Sequence, residues 1–154
     1  MSGKKIDILY VDDEENNLIS FKAMFRLKYN IMTASSADAG MKILNSKSVE
    51  IIITDQRMPN MTGIEFLEKI IEVYPDPVRI LLTGYADINA VIDAVNKGKI
   101  FHHLSKPWNE EELEETINKA FEVYTAKKEI REINSKLAIS NDQLEFLLRQ
   151  KLLS

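Results

Sequence analysis

The chain has 154 residues, 45% of them apolar, so it can pack one domain plus an extension and is too apolar to be disordered. Acids outnumber bases 24 to 20, and the net charge of −4 argues against a surface that coats nucleic acid. It has no cysteine and only two histidines, His102 and His103, which excludes disulfides, thiol nucleophiles and thiolate zinc sites and leaves little for a histidine metal cage or a Ser-His-Asp triad.

Residues Ile6 to Val11 read as a first strand. Glu14 to Leu27 has helical spacing, with Leu18, Phe21, Met24 and Phe25 on one side. Tyr29 to Ala34 reads as a short strand, and Ser36 or Asp38 can open a helix through Leu44. Glu50 to Thr54 is almost wholly apolar, as a strand covered on both faces should be. Ile64 to Tyr74 predicts a helix with Phe66, Leu67, Ile70 and Ile71 inward, ended by Pro75 and Pro77. Val78 to Leu82 is a fourth strand, and Ala86 to Asn96 a helix closed by Gly98 just past its end. Ile100 to Leu104 is a weaker fifth strand. Asn109 then caps a helix whose first turn is acidic, in keeping with the helix dipole. After Pro107 no glycine or proline interrupts that helix.

Strands that alternate with helices predict an α/β fold: a doubly wound, five-stranded parallel sheet with helices on both faces and an elongated C-terminal helix. The expected division is a globular domain at 1–122 and a helical extension at 123–154. No apolar run approaches the length of a membrane span, and the first residues lead straight into a strand rather than a signal-peptide core, so the expected location is cytoplasmic with no membrane contact.

Ligands of such sheets bind at the carboxyl ends of the strands. The first strand ends in Asp12 and Asp13, the third in Asp55, the fourth in Thr83 and Gly84, and the fifth leads to Lys106 and Pro107. Three carboxylates meeting at one edge repel one another unless a cation joins them. Only oxygen ligands are on offer, which favours a hard ion such as Mg2+. A carboxylate beside that ion, a lysine and a hydroxyl can accept a phosphoryl group.

In this ordered set, with Met58, Pro59 and Gly63 following Asp55, the chain resembles the two-component response regulator receiver domain, over about residues 4–122. The resemblance implies a flavodoxin-like (βα)5 fold with strand order 2-1-3-4-5. It implies that Asp55 is the phosphoacceptor and that Asp13, Asp55 and the backbone carbonyl of Arg57 ligate Mg2+, with Asp12 acting mainly through a water. Thr83 would hydrogen-bond the phosphoryl group and Lys106 would pair with it. Arg57 and Tyr85 would tune its loss, and Lys106–Pro107 would be a cis bond. The position of the family's switch aromatic holds His103, which could turn inward behind Thr83 and can titrate. Trp108 should cover the edge of the core near the site. The implied donor is a sensor histidine kinase or phosphotransfer protein, and the protein is a regulator rather than an enzyme with an outside substrate. A Mg2+-dependent phosphohydrolase would use Asp55 as its nucleophile, but such enzymes commonly have an acid two residues later, where Arg57 stands. A phosphorylation-independent adaptor is disfavoured because every acid and the lysine are present.

Beyond residue 122 a heptad places Val123, Ile130, Leu137 and Leu144 at a, and Ala126, Ile133, Ser140 and Leu147 at d. Leu148 and Leu152 extend the stripe, while Ser140 and Lys151 interrupt it. The alternatives are a helix packed on its own domain and a coiled coil that pairs two copies as a homodimer, linking to an output domain; the second is preferred. No helix-turn-helix follows, so no direct contact with nucleic acid is expected.

Overall fold

The computed structural model describes residues 4–84 and 87–153. Strand and helix alternate as β1 (Asp7–Val11), α1 (Glu15–Phe25), β2 (Asn30–Ala34), α2 (Ala37–Ser46), β3 (Ile51–Asp55), α3 (Gly63–Val73), β4 (Val78–Thr83), α4 (Ile88–Asn96), β5 (His102–Ser105) and α5 (Glu110–Leu153). The strands form one parallel sheet in the order β2-β1-β3-β4-β5. This is the flavodoxin-like order. The register sets Val11 beside Ala34 and Thr54, Asp55 beside Leu82, and Thr83 beside Ser105. The carboxyl ends of four strands therefore meet at one edge.

Alternation along each strand divides the apolar residues between two layers. Ile8, Tyr10, Ile51, Ile53, Ile80 and Leu82 pack with α1 and with Leu113, Ile117 and Ala120 of α5. Leu9, Val11, Ile52 and Leu81 pack with α2, α3 and α4. All residues of β3 and β4 are buried, including Asp55 and Thr83.

Most element ends follow from local chemistry. The Ser36 hydroxyl, not Asp38, caps α2 by accepting from Ala39 N at 3.1 Å. Asn109 Oδ1 caps α5 by accepting from Glu112 N at 2.7 Å. Thr62 and Glu65 form a reciprocal capping box, so α3 starts at Gly63, one residue before its apolar pattern. Gly98 sits at φ 73° just past α4, the conformation that glycine adopts without cost. The expected start of α4 at Ala86 lies outside the described residues.

Three expectations are corrected. Met24 is not inward: Phe21 stacks on Tyr10 at 4.2 Å between ring centroids and Phe25 lies 5.1 Å from Phe21, so aromatic rings fill the face and Met24 is left exposed at its edge. Ile71 is only half-buried, because the inward line of α3 is Phe66, Leu67 and Ile70. The fifth strand begins at His102 rather than Ile100, since the Lys99 carbonyl is taken by the buried Arg79 guanidinium, whose Nε donates to it at 2.8 Å.

Contacts divide the chain into two compact units, residues 1–124 and 125–154. The first is the sheet with its helices. The described part of the second is helical throughout, to Leu153. Among the described residues no helix is long and apolar enough to cross a membrane.

Candidate functional site

Asp12 follows β1 and is completely buried, Asp13 beside it is exposed, and Asp55 closes β3 with only 5% of its surface accessible. One carboxylate oxygen of each lies within 4.8 Å of the others. Such a cluster is unfavourable as three bare anions and suits a hard divalent cation, because every donor is oxygen. The fold thus brings together the three acids that the sequence singles out. Lys106 meets them from beyond β5, with its ammonium in an ion pair with Asp55 Oδ1. The Lys106–Pro107 bond is cis, as expected.

Asp12 is held by a shell of donors that strand-end reasoning does not reveal. Its Oδ2 accepts from the Tyr10 hydroxyl at 2.8 Å and from Asn17 Nδ2 at 3.1 Å, while its Oδ1 accepts from Glu14 N at 3.0 Å. These bonds offset the cost of burying the carboxylate. The available signal was the strand period, which puts Tyr10 on the same side as Asp12, and the position of Asn17 in the first turn of α1. Burial, then the Asp12 charge, push the Tyr10 hydroxyl far above the ordinary tyrosine range, so it remains a donor. Tyr10→Phe is expected to destabilise the protein by about 1.5 kcal/mol, the scale of a lost hydrogen bond to a charged group, measured by urea unfolding.

Asp55 is pushed above the ordinary carboxylate value mainly by burial. The hydrogen bond and charge of Lys106 oppose the rise, and Asp12 and Asp13 add to it. Its charged form is thus held at a cost that a nearby cation would relieve.

Thr83 is buried at the end of β4, where its hydroxyl donates to Gly84 O at 3.1 Å. Lys106 N donates to Thr83 O at 2.8 Å, which ties the lysine's backbone to the threonine's. In the β4–β5 register Leu81 pairs with His103, and Thr83 with Ser105. Thr83 and His103 therefore face the same side of the sheet, toward α4. His103 is half-buried and His102 exposed, with ring centroids 6.0 Å apart. Arg57 is exposed, and its Nε donates to Asp87 Oδ2 at 3.2 Å, joining the loop after Asp55 to the start of α4. Tyr85 lies outside the described residues. Trp108 packs at the margin of the core, edge-on to Phe21 at 6.5 Å.

The loop after Asp55 folds back so that Gly63 N donates to Gln56 O at 2.9 Å and Ile64 N to Gln56 Oε1 at 2.9 Å. A Cβ at Gly63 would lie 2.3 Å from the Asp55 carbonyl oxygen. Glycine is needed here for space rather than for an unusual φ, and it lets the start of α3 press against the backbone of Asp55.

A family model described as the response regulator receiver domain matches residues 8–118. The chain belongs to that family. As a receiver it shares its fold with a response regulator receiver domain protein from Clostridium thermocellum, at a TM-score of 0.74 and 32% identity, covering 79% of this chain and 98% of that one. An uncharacterized protein from Neptuniibacter caesariensis aligns at a TM-score of 0.77 and 40% identity, covering 82% and 96%. Among curated relatives, the hydrogenase transcriptional regulatory protein HoxA of Cupriavidus necator is 34% identical over 154 residues, all of this chain and 32% of the relative. The transcriptional regulatory protein GlrR of Escherichia coli is 32% identical over 123 residues, 79% of this chain and 28% of the relative. The receiver thus spans a third or less of the length of these two relatives. The family is a regulatory one, acting in two-component signalling.

Proposed function

We propose that this receiver takes a phosphoryl group onto Asp55 from a sensor histidine kinase or phosphotransfer protein, in a Mg2+-dependent reaction, and passes the change of state to its helical extension. The observation that carries the reading is the meeting of Asp55 with Lys106 on one side and Asp12 and Asp13 on the other. Asp13, Asp55 and the Arg57 carbonyl would hold the ion, with Asp12 acting through a water. Bound there, Mg2+ would neutralise the phosphoryl oxygens.

The chain's own residues supply the rest. Lys106 occupies Asp55 Oδ1, which leaves Oδ2 to bond to phosphorus as the donor's bond to phosphorus breaks. The ammonium then pairs with the product. The Thr83 hydroxyl now satisfies Gly84 O, so capture of a phosphoryl oxygen means exchanging that bond for one to an anion, a stronger partner. The exchange draws Thr83 toward Asp55 and opens space behind it on the face it shares with His103, whose inward turn would carry the change to α4 and β5. Arg57 would tune loss of the phosphoryl group from its place beside the acceptor, as would Tyr85.

We assign residues 1–122 to the receiver and 123–154 to a helical extension that forms a homodimer. We also propose that the extension acts on an output domain, since the relatives are named transcriptional regulators.

Intact mass after incubation with a small acyl phosphate and Mg2+ tests the chemistry. One added phosphoryl group is expected on the wild type, and none on Asp55→Asn or without the metal. A stable adduct on Asp55→Asn would overturn the assignment of the acceptor.

A further inference from the structure

The amino ends of the strands, opposite Asp55, carry a surface that the phosphoryl chemistry does not use. A cavity of about 690 Å³ opens there against Asp7 and Asn30, the first residues of β1 and β2. Lys22 and Arg26 flank it from the last turns of α1, and Lys47 from the end of α2. Among the described residues that line it the one acid is Asp7. Its carboxylate is already engaged, by Lys4 Nζ at 3.0 Å and by Asn30 Nδ2 at 3.1 Å. Helix dipoles favour a base at each helix end, but three bases round one opening add a positive field that suits an anion. The imbalance is local. Between residues 16 and 49 the bases Lys22, Arg26, Lys28, Lys42 and Lys47 stand against the single acid Asp38, in a chain of net charge −4.

Lys47 and Ser48 also line a second cavity, of about 200 Å³. Leu44, Val49, Val73, Tyr74, Pro77 and Tyr124 form its walls. Two bonds from the buried Arg79 guanidinium hold one wall in place, Nη1 donating to Pro77 O at 3.0 Å and to Pro75 O at 3.4 Å. The Tyr74 hydroxyl donates to Asn45 Oδ1 and fixes another. Val73 is 57% exposed, so the cavity offers apolar surface to a partner. Its size suits one aromatic ring: about 150 Å³ already holds benzene, and small-molecule sites begin near 300 Å³.

We propose that the two cavities together dock an acidic segment of a partner protein. One aromatic side chain of that segment enters the smaller cavity, and the carboxylates beside it lie among Lys22, Arg26 and Lys47. The shared wall at Lys47 and Ser48 sets ring and charges next to each other, so one short segment reaches both. A ring anchored in a preformed pocket supplies affinity with little ordering cost, and the complementary charges beside it supply selectivity. A nucleic acid fits less well, because three bases displace few counterions and the net charge of −4 opposes a long polyanion. A small free anion leaves the apolar cavity unused. Tyr124 belongs to α5, so the docked ring touches the helix that continues into the extension. The surface lies at the other end of the strands from Asp55, and its failure leaves the proposed phosphoryl chemistry untouched.

The test is a titration of the full-length, nitrogen-15-labelled protein with a short peptide of glutamates around one central tryptophan. Amide shifts are expected at Lys22, Arg26, Lys47, Ser48 and Tyr124, and not at Asp13, Thr83 or Lys106. Exchanging the peptide's tryptophan for glycine is expected to weaken binding about tenfold or more, with no change to the protein. The double variant Lys22→Gln/Arg26→Gln is expected to weaken it by a similar factor, as is raising the salt from about 50 to about 500 mM. Both side chains are exposed, so the double variant should melt within about 3 °C of the wild type, which separates lost binding from lost folding. No shifts, or shifts confined to other surfaces, would overturn the docking site. Equal affinity for the glycine peptide would remove the aromatic anchor and with it the partner proposed. Tighter binding of an oligothymidylate of the same charge would assign the surface to nucleic acid instead.

Discussion

Gly63→Ala is expected to destabilise the receiver by about 3 kcal/mol or more and to lower its melting temperature by about 10 °C. The added methyl would sit 2.3 Å from Asp55 O, 2.8 Å from Leu81 Cδ1 and 3.0 Å from the Asp55 carbonyl carbon. Two of these three atoms are backbone of a fully buried central strand, which cannot give way as the end of a side chain can. Relief would need α3 to retreat, at the expense of the bonds from Gly63 N and Ile64 N to Gln56. Two other glycines serve as internal standards. A Cβ at Gly40 would meet Phe66 Cζ at 2.9 Å, the tip of a ring, and a Cβ at Gly84 meets nothing within 4 Å. The expected order of loss is Gly63→Ala, then Gly40→Ala at about 1 kcal/mol, then Gly84→Ala near zero. Thermal unfolding at one pH ranks the three. A Gly63→Ala melting temperature within about 2 °C of the wild type would show that α3 shifts freely and that the close approach does not hold Asp55 in place.

That contrast shows where sequence reasoning stops. Asp12, Asp13, Asp55, Thr83 and Lys106 were legible because each stands at or just past the end of a strand, and a parallel sheet gathers those ends at one edge whatever the details of packing. The bonds of Tyr10 and Asn17 to Asp12 had a local signal that strand-end reasoning passes over, whereas the crowding at Gly63 had none, because it depends on the distance of α3 from the backbone of β3 and the side chain of Leu81. The same holds for Met24. Helical spacing allows it inward as readily as Phe25, and only the stack of Tyr10, Phe21 and Phe25 decides against it. The first residue of β5 depended on the reach of one buried guanidinium from β4. In the extension the continuous helix was legible, because no glycine or proline follows Pro107 to break it.

Asp55→Asn is expected to raise the melting temperature at neutral pH while abolishing the response to Mg2+. The folded carboxyl of Asp55 titrates above its ordinary value of 3.8, chiefly through burial. A group with a raised acid pKa binds its proton more readily in the folded state than in the unfolded one. Its penalty is therefore absent below the unfolded value, grows as pH rises through the interval up to the folded value, and is present in full at neutral pH. Asparagine removes the charge and keeps the shape. Lys106, with 39% of its side chain exposed, recovers solvation when it loses its partner. The net gain expected is about 1–2 kcal/mol, several degrees in melting temperature, shrinking as pH falls through the interval. The wild type can relieve the same penalty by binding the cation. At a hundred times its dissociation constant Mg2+ should add about 2.7 kcal/mol to the wild type through mass action alone. Asp55→Asn should gain little, and Asp13→Asn should gain less than the wild type while keeping the Asp55–Lys106 pair. Calorimetry of the three proteins with Mg2+ and with a chelator separates the contributions. If Asp55→Asn melts below the wild type without metal, the ion pair with Lys106 outweighs the burial of the carboxylate. The acidic cluster is then a stabilising element rather than a site held ready for a cation and a phosphoryl group.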